Sequence, residues 1–238
     1  MQEQKIFDSL GIINLSYFRK SLYKSVFSEV AEFIDFTQNI KTAEMGGGEG
    51  YWGRYLKSKN PESDVYLVDI SSEFLKRAPQ NLLKVCANMT EEIFEEGSMD
   101  LISFWVSIHH LKTYELKRAI QNSMKALKKG GLLLFFEPNN DFWVRKMVYN
   151  TSLSKDVYFD EGEKGVFSDE IKRLCGERGG MEIKRKYLNP PYNIHYVKKL
   201  KKWLLYYSFV EFMYLIGKFK KVCTKSSSLY GLSIFRKV

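Results

Sequence analysis

Apolar runs of strand length alternate with amphipathic segments of helix length along most of the 238 residues. That alternation predicts a parallel sheet covered by helices on both faces. The pattern gives an opening helix over 16–34, a strand over 42–45 and a helix from Tyr51. Val65-Tyr66-Leu67-Val68-Asp69 reads as a short buried strand, and Ser71 and Ser72 followed by Glu73 suit the start of the next helix. Strands at 83–86 and 100–104 follow, then a helix over 113–128. Gly130-Gly131 then turns the chain into Leu132-Leu133-Leu134-Phe135-Phe136, an unbroken apolar run expected of a central strand buried on both sides. Beyond Glu137-Pro138 the regularity loosens into a helix over 141–149, a polar loop over 151–165 and a capped helix from Ser168. Strands at 181–188 and 230–237 close the chain, and a lysine-flanked apolar stretch lies between them.

Composition changes this picture little. A 45% hydrophobic share with 27% charged residues is ordinary for a globular protein and argues against disorder. Charge changes it more. Residues 182–238 hold thirteen Lys and Arg against Glu182 and Glu211, a net of +11, so of the chain's +9 the first 181 residues contribute −2. Any anionic partner is therefore expected at this tail. Cys86, Cys175 and Cys223 are scattered, which argues against a disulfide framework and against a zinc site, so no metal is expected. A reducing cytoplasm fits them, and the polar N-terminus carries no signal-peptide core. No segment reaches the roughly 18 apolar residues needed to cross a bilayer.

The candidate chemistry begins at Glu44-Met45-Gly46-Gly47-Gly48-Glu49-Gly50, where the first strand ends and a helix begins. Glycines there let the backbone approach a ligand, and the helix start offers amides. Asp69 ends the next strand 19 residues beyond Gly50, where a ribose would find an acceptor for its hydroxyls.

Together these residues resemble the class I S-adenosylmethionine-dependent methyltransferases over 42–139. Glu44, Gly46, Gly48 and Gly50 fill the family's acidic residue and Gly-x-Gly-x-Gly. Ala87-Asn88-Met89 stands where the family usually has Gly-Asp-Ala. Leu127-Lys128-Lys129-Gly130-Gly131 is similar to its Leu-Lys-Pro-Gly-Gly, with Lys129 in place of proline. Ile108-His109-His110-Leu111 matches the histidine pair of many small-molecule members. A dehydrogenase sharing the glycine turn would explain neither that pair nor the Gly-Gly.

The resemblance implies a Rossmann-like, seven-stranded α/β sheet, mostly parallel with an antiparallel last strand, and a helical cap inserted between the last two strands. It divides the chain into an N-terminal helical lid (1–40), a core (41–188 and 229–238) and a basic aromatic cap (189–228). It implies S-adenosylmethionine as cofactor. Glu44 would hold the methionine ammonium through water, and the backbone of Gly46, Gly47, Gly48 and Gly50 would lie under the methionyl and ribose parts. Asp69 would take both ribose hydroxyls. Ile70 would line the adenine pocket, with Asn88 at the adenine amino group, Met89 on its face and Phe104 completing the set.

Methyl transfer from a sulfonium mainly requires orienting the acceptor and excluding water, and a base is needed only for a protonated acceptor. His109 is the first candidate for that base and Glu137 the second; His110 reads as a packing or capping residue. Tyr17, Trp105, Asn139, Tyr192 and His195 are the expected substrate contacts.

Residues 203–216 are too short to span a membrane but suit a helix lying on one, or a lid over the active site. The resemblance implies a small-molecule, lipid or lipid-linked glycan acceptor, methylated on oxygen or nitrogen. Peripheral contact with anionic membrane through 198–221 is expected, in a monomer or homodimer. Two alternatives stand beside this reading. One is a nucleic-acid methyltransferase, favoured by the basic tail and by Asn189-Pro190-Pro191-Tyr192; the other is a non-catalytic cofactor-binding partner subunit. Adenine-type enzymes carry that tetrapeptide after the fourth strand. Here it follows the sixth, where its prolines end a strand.

Overall fold

The structure, a computed structural model, describes residues 15–142, 168–188, 224–226, 228 and 230–238. Helix α1 (Leu15–Val30) precedes strand β1 (Lys41–Met45), helix α2 (Tyr51–Lys57), strand β2 (Asp64–Asp69), helix α3 (Ser72–Arg77) and strand β3 (Leu83–Cys86). Strand β4 (Met99–Trp105), a single 3₁₀ turn (Ile108–His110), helix α4 (Thr113–Ala126) and strand β5 (Leu127–Pro138) follow. Helix α5 (Ser168–Gly176), strand β6 (Gly180–Leu188) and strand β7 (Tyr230–Lys237) complete the described chain. One seven-stranded sheet runs β3-β2-β1-β4-β5-β7-β6, with β7 antiparallel to both neighbours and the other pairings parallel.

The unbroken apolar run of β5 acquires its meaning from this sheet. Leu132, Leu134 and Phe136 enter a core beneath α1, α2 and α3, while Leu133 and Phe135 enter another beneath α4 and α5. Alternate residues of a strand face opposite sides, so a strand covered on both must be apolar throughout.

Two expectations change. Strand β5 begins at Leu127, which pairs with Met99, and the register then jumps so that Leu132 pairs with Leu101. Gly130 and Gly131 thus form an irregularity inside the strand rather than a turn before it. Gly130 takes φ +81°, and a Cβ on Gly131 would lie 2.9 Å from the carbonyl oxygen of Lys128. The opening segment also departs from a lid over its described part: Val26 and Val30 are fully buried, and Tyr23 packs beside Trp52. An aromatic stack explains the docking. Trp105 lies between Trp52 (centroids 4.8 Å apart) and Phe136 (4.3 Å), Phe136 stacks on Tyr230 (5.1 Å), and Tyr23 meets Trp105 at 64°. Ion pairs fasten the same helix and the turn after it to the sheet edge: Glu29 meets Lys184 at 3.0 Å and also pairs with Lys186, and Glu32, in the turn, meets Lys184 at 2.9 Å.

The expected helix over 141–149 lies outside the described residues from 143 onward, as do the loop over 151–165 and most of the 189–228 cap. Because α1 is a layer of the core, Val26→Ala is expected to lower unfolding free energy by about 2 kcal/mol in urea titration. An unchanged midpoint would make α1 a detachable lid.

Candidate functional site

The order β2-β1-β4 reverses direction across β1, and ligands of open α/β sheets bind in the crevice outside the strand ends at such a switch point. Three loops converge there. The glycine turn after β1 is bent back by hydrogen bonds from the Gly46 and Gly47 amides to the carbonyl of Val68 (2.8 and 3.2 Å). Gly46 takes φ +65°, and a Cβ on it would lie 2.5 Å from Met89 Cε and 3.0 Å from Ser107 Cβ. Gly48, at φ +57°, faces open space. Such a bare backbone surface is what a close-lying ligand requires.

Asp69 fixes this turn to β2. Its Oδ2 accepts the Gly48 amide and its Oδ1 the Ser71 amide, each at 2.8 Å. Each oxygen keeps a second lone pair for a hydroxyl donor. Ile70, next in the chain, is 72% exposed, an apolar face that an adenine ring would cover. Glu49 links the turn to α3 through Arg77 at 2.8 Å, a contact the sequence pattern did not suggest.

Glu44 is buried under the turn, where its Oε2 accepts the Gly53 amide at 2.7 Å and so caps the start of α2. Burial pushes its carboxyl up to about 8, with Asp69 adding to the rise while the Gly53 and Trp52 amides oppose it. A cation arriving at the turn would favour the ionised form. Glycine turn, Asp69, Ile70 and Glu44 thus fit S-adenosylmethionine: a cradle, a hydroxyl acceptor, an apolar face and an acid for its positive end.

The loop after β4 and the end of β5 together supply the candidate catalytic pair. Glu137, at the end of β5, accepts the Ser107 amide (2.7 Å) and the Ile108 amide (3.0 Å) on Oε1, and its Oε2 lies 3.0 Å from His109 Nδ1. The side chain of Glu137 is 4% exposed and that of His109 16%. A carboxylate only accepts, so the proton of neutral His109 sits on Nδ1 and the lone pair on Nε2. Ser107 Oγ donates to the Met45 carbonyl at 2.9 Å, drawing this loop against the glycine turn. Both oxygens of Glu137 are engaged, so it orients the imidazole rather than acting as a second base. His110 is exposed, and its ring lies tilted at 41° to that of His109 with centroids 4.0 Å apart.

Four other expected contacts are corrected. Phe104 is fully buried and stacks on Phe135 at 5.2 Å, out of any cofactor's reach. Trp105 is held in the aromatic stack between Trp52 of α2 and Phe136 of β5, with Tyr23 of α1 against its edge. Asn139 is structural: its Nδ2 donates to the carbonyls of Lys225 and Ser228 (2.7 Å each), and its Oδ1 accepts the Asp141 amide. Asn88 turns its Oδ1 onto Thr90, accepting from the amide at 3.0 Å and the hydroxyl at 2.9 Å, which removes the acceptor expected for the adenine amino group. Met89 stays beside Gly46. Tyr17 lies on α1, but its side chain, like Tyr192 and His195, is outside the described residues. Sequence reading missed Ser107 and Asn140, whose buried Oδ1 has no hydrogen-bond partner among the described residues. Neither stands out in sequence, since Ser and Asn at strand ends serve turns equally well.

The described part of the basic tail is largely neutralised within the molecule. Besides Lys184 and Lys186, Arg185 pairs with Asp169 (3.0 Å) and Glu182 (2.5 Å), and Lys225 pairs with Asp169 (2.5 Å). Lys237 donates to the carbonyls of Leu127 and Lys125 at 2.7 and 3.1 Å. The lysines between 198 and 221, where contact with an anionic partner was expected, lie outside the described residues. Among the described residues no helix is long and apolar enough to cross a membrane.

Residues 43–131 match the family model described as a methyltransferase domain. The malonyl-[acyl-carrier protein] O-methyltransferase of Priestia megaterium is 28% identical over 59% of this chain and 53% of its own length. The tRNA N(3)-methylcytidine methyltransferase of Schizosaccharomyces pombe is 26% identical over 51% of this chain and 43% of its own. The chain spans about half the length of these curated relatives. The solved structure of a SAM-dependent methyltransferase from Archaeoglobus fulgidus superposes with a TM-score of 0.62 at 13% identity, covering 92% of this chain and 94% of that one.

Glu44 gives the site a pH signature. Its folded pKa of about 8 lies above the ordinary 4.5, so the folded state binds the proton more tightly. The stability this contributes is fully present below about pH 4.5 and is lost as pH rises through about 8. Glu44→Gln, which cannot titrate, is expected to flatten the fall in unfolding free energy across that window. An unchanged slope in urea titrations would contradict the assignment.

Proposed function

We propose that the chain, whose residues 43–131 match a methyltransferase domain, is a class I S-adenosylmethionine-dependent methyltransferase that methylates a small-molecule or lipid-like acceptor, lipid-linked glycans included, on an oxygen or nitrogen whose proton His109 removes. The observation that carries this reading is the His109–Glu137 pair, 3.0 Å apart, on the loop that Ser107 draws against the glycine turn. S-adenosylmethionine, when bound, supplies a methyl group on a cationic sulfur. Asp69 would hold its ribose, Ile70 and Met89 its adenine, and the backbone from Gly46 to Gly48 its methionyl portion.

The rest falls to the chain's own side chains. Glu137 holds the Nδ1 proton of His109, so Nε2 is the nitrogen that takes the acceptor's proton as the acceptor atom takes the methyl group. The imidazolium so formed faces the Glu137 carboxylate, which stabilises it. Two residues past β5, the buried Oδ1 of Asn140 has no hydrogen-bond partner among the described residues and would accept a donor from the substrate in place of Asn139. The O-methyltransferase relative supports an oxygen acceptor, and the lysines over 198–221 support an anionic or membrane-held one. The tRNA-methylating relative keeps RNA as the rival acceptor.

Incubating the protein with methyl-tritiated cofactor and fractionated extract separates these. Label is expected in the lipid, glycan or small-molecule fraction. Label confined to RNA would overturn the acceptor class. His109→Ala is expected to lower kcat by about 10²–10⁴ with cofactor affinity retained, and an unaffected rate would remove His109 as the base.

A further inference from the structure

Val106 is, among the described residues, the one residue other than glycine with a positive φ, at 52°. A β-branched side chain suits that region poorly, because its Cβ crowds the neighbouring carbonyl. Glycine adopts such angles without cost and does so at Gly46, Gly48 and Gly50 in the facing turn. Position 106 retains a strained side chain where a glycine would fit, so the side chain itself must contribute something there.

Its surroundings indicate what that is. The Val106 amide donates to the Phe136 carbonyl at 2.8 Å, just past the last β4–β5 register pair, Trp105 with Phe136. The Val106 side chain packs on the aromatic core beneath α1 and α2, whereas Ile108, two residues later, is buried in the core on the opposite face. Between them Ser107 reaches the Met45 carbonyl and the Glu137 carboxylate. The chain therefore crosses over the strand ends within three residues, and the left-handed turn at Val106 makes the crossing.

We propose that Val106 is a positioning residue for His109: its side chain, anchored on the aromatic face, locks the turn that delivers Ser107, Ile108 and His109 to Glu137. A glycine would satisfy the turn but release the anchor, letting the loop sample other angles. The functional consequence rests on the reading of His109 as base, while the positioning can be measured without an acceptor. Ring ¹⁵N spectra of the three histidines, assigned with His109→Gln, report which nitrogen of His109 carries its proton. Wild type is expected to show the Nδ1–H tautomer, and Val106→Gly a mixture. In the tritium assay Val106→Gly is expected to lose roughly 10- to 100-fold in kcat, with the cofactor dissociation constant within about threefold of wild type. Val106→Ile, which keeps the branched anchor, restores both readouts. Val106→Ala, which keeps a Cβ but loses the branch, falls between and serves if the glycine variant melts early in circular dichroism. Wild-type tautomer and rate in the folded glycine and alanine variants would overturn the proposal. A shifted tautomer with an unchanged rate would uphold the positioning and overturn the base reading instead.

Discussion

Glu137 is a carboxylate buried at the end of the central strand, and it receives three donors from one short loop: the amides of Ser107 and Ile108 and the imidazole of His109. A buried charge is tolerated when hydrogen bonds replace its water, so the loop has to close around this group. That closure depends in turn on the sheet. Strands β4 and β5 must lie side by side with Trp105 opposite Phe136 for the loop to begin beside Glu137. The buried layers on both faces of β5 hold that register. The catalytic reading of His109 therefore rests on one buried acid and on the two cores that fix where it stands.

The cofactor side obeys the same logic. Asp69 and Glu44 both spend hydrogen-bonding capacity on backbone amides of the glycine turn and of α2, so the cradle is shaped before any ligand arrives. The two acids differ in what surrounds them. Asp69 lies at the crevice beside the exposed Ile70, while Glu44 is wholly enclosed and its carboxyl pushed upward. Ser107 links this half of the site to the other through the Met45 carbonyl. Ordering one loop thereby helps to order its neighbour.

Much of this was legible in the sequence, because strand-length apolar runs, the glycine turn and the acid ending β2 each carry a local signal. The strands from β1 to β3 fall within a residue of expectation, and β7 spans the same residues. What local signals do not carry is which neighbour a side chain meets. Phe104 lies near the end of a strand buried on both faces, so its apolar character could not distinguish a core stack from a cofactor wall. Asn139 and Asn140 are alike as letters, yet one ties down the turn into β7 and the other keeps an unpartnered oxygen. Glu137 and His109 were each visible as a candidate, but their pairing is tertiary, spanning 28 residues. For a related reason, counting charge along the chain does not show that Glu29, Glu32 and Asp169 come to meet the described part of the basic tail.

The central claim is that the glycine turn, with Asp69 behind it, forms a working S-adenosylmethionine site. Calorimetric titration of the purified protein with the cofactor tests this without an acceptor. Saturable binding at one site per chain is the predicted result, weakened at least about tenfold in Asp69→Ala, as expected where a charge-assisted hydrogen bond to a ribose hydroxyl is lost. Wild-type protein that binds no cofactor, or an Asp69→Ala variant that binds it equally well, would contradict the account.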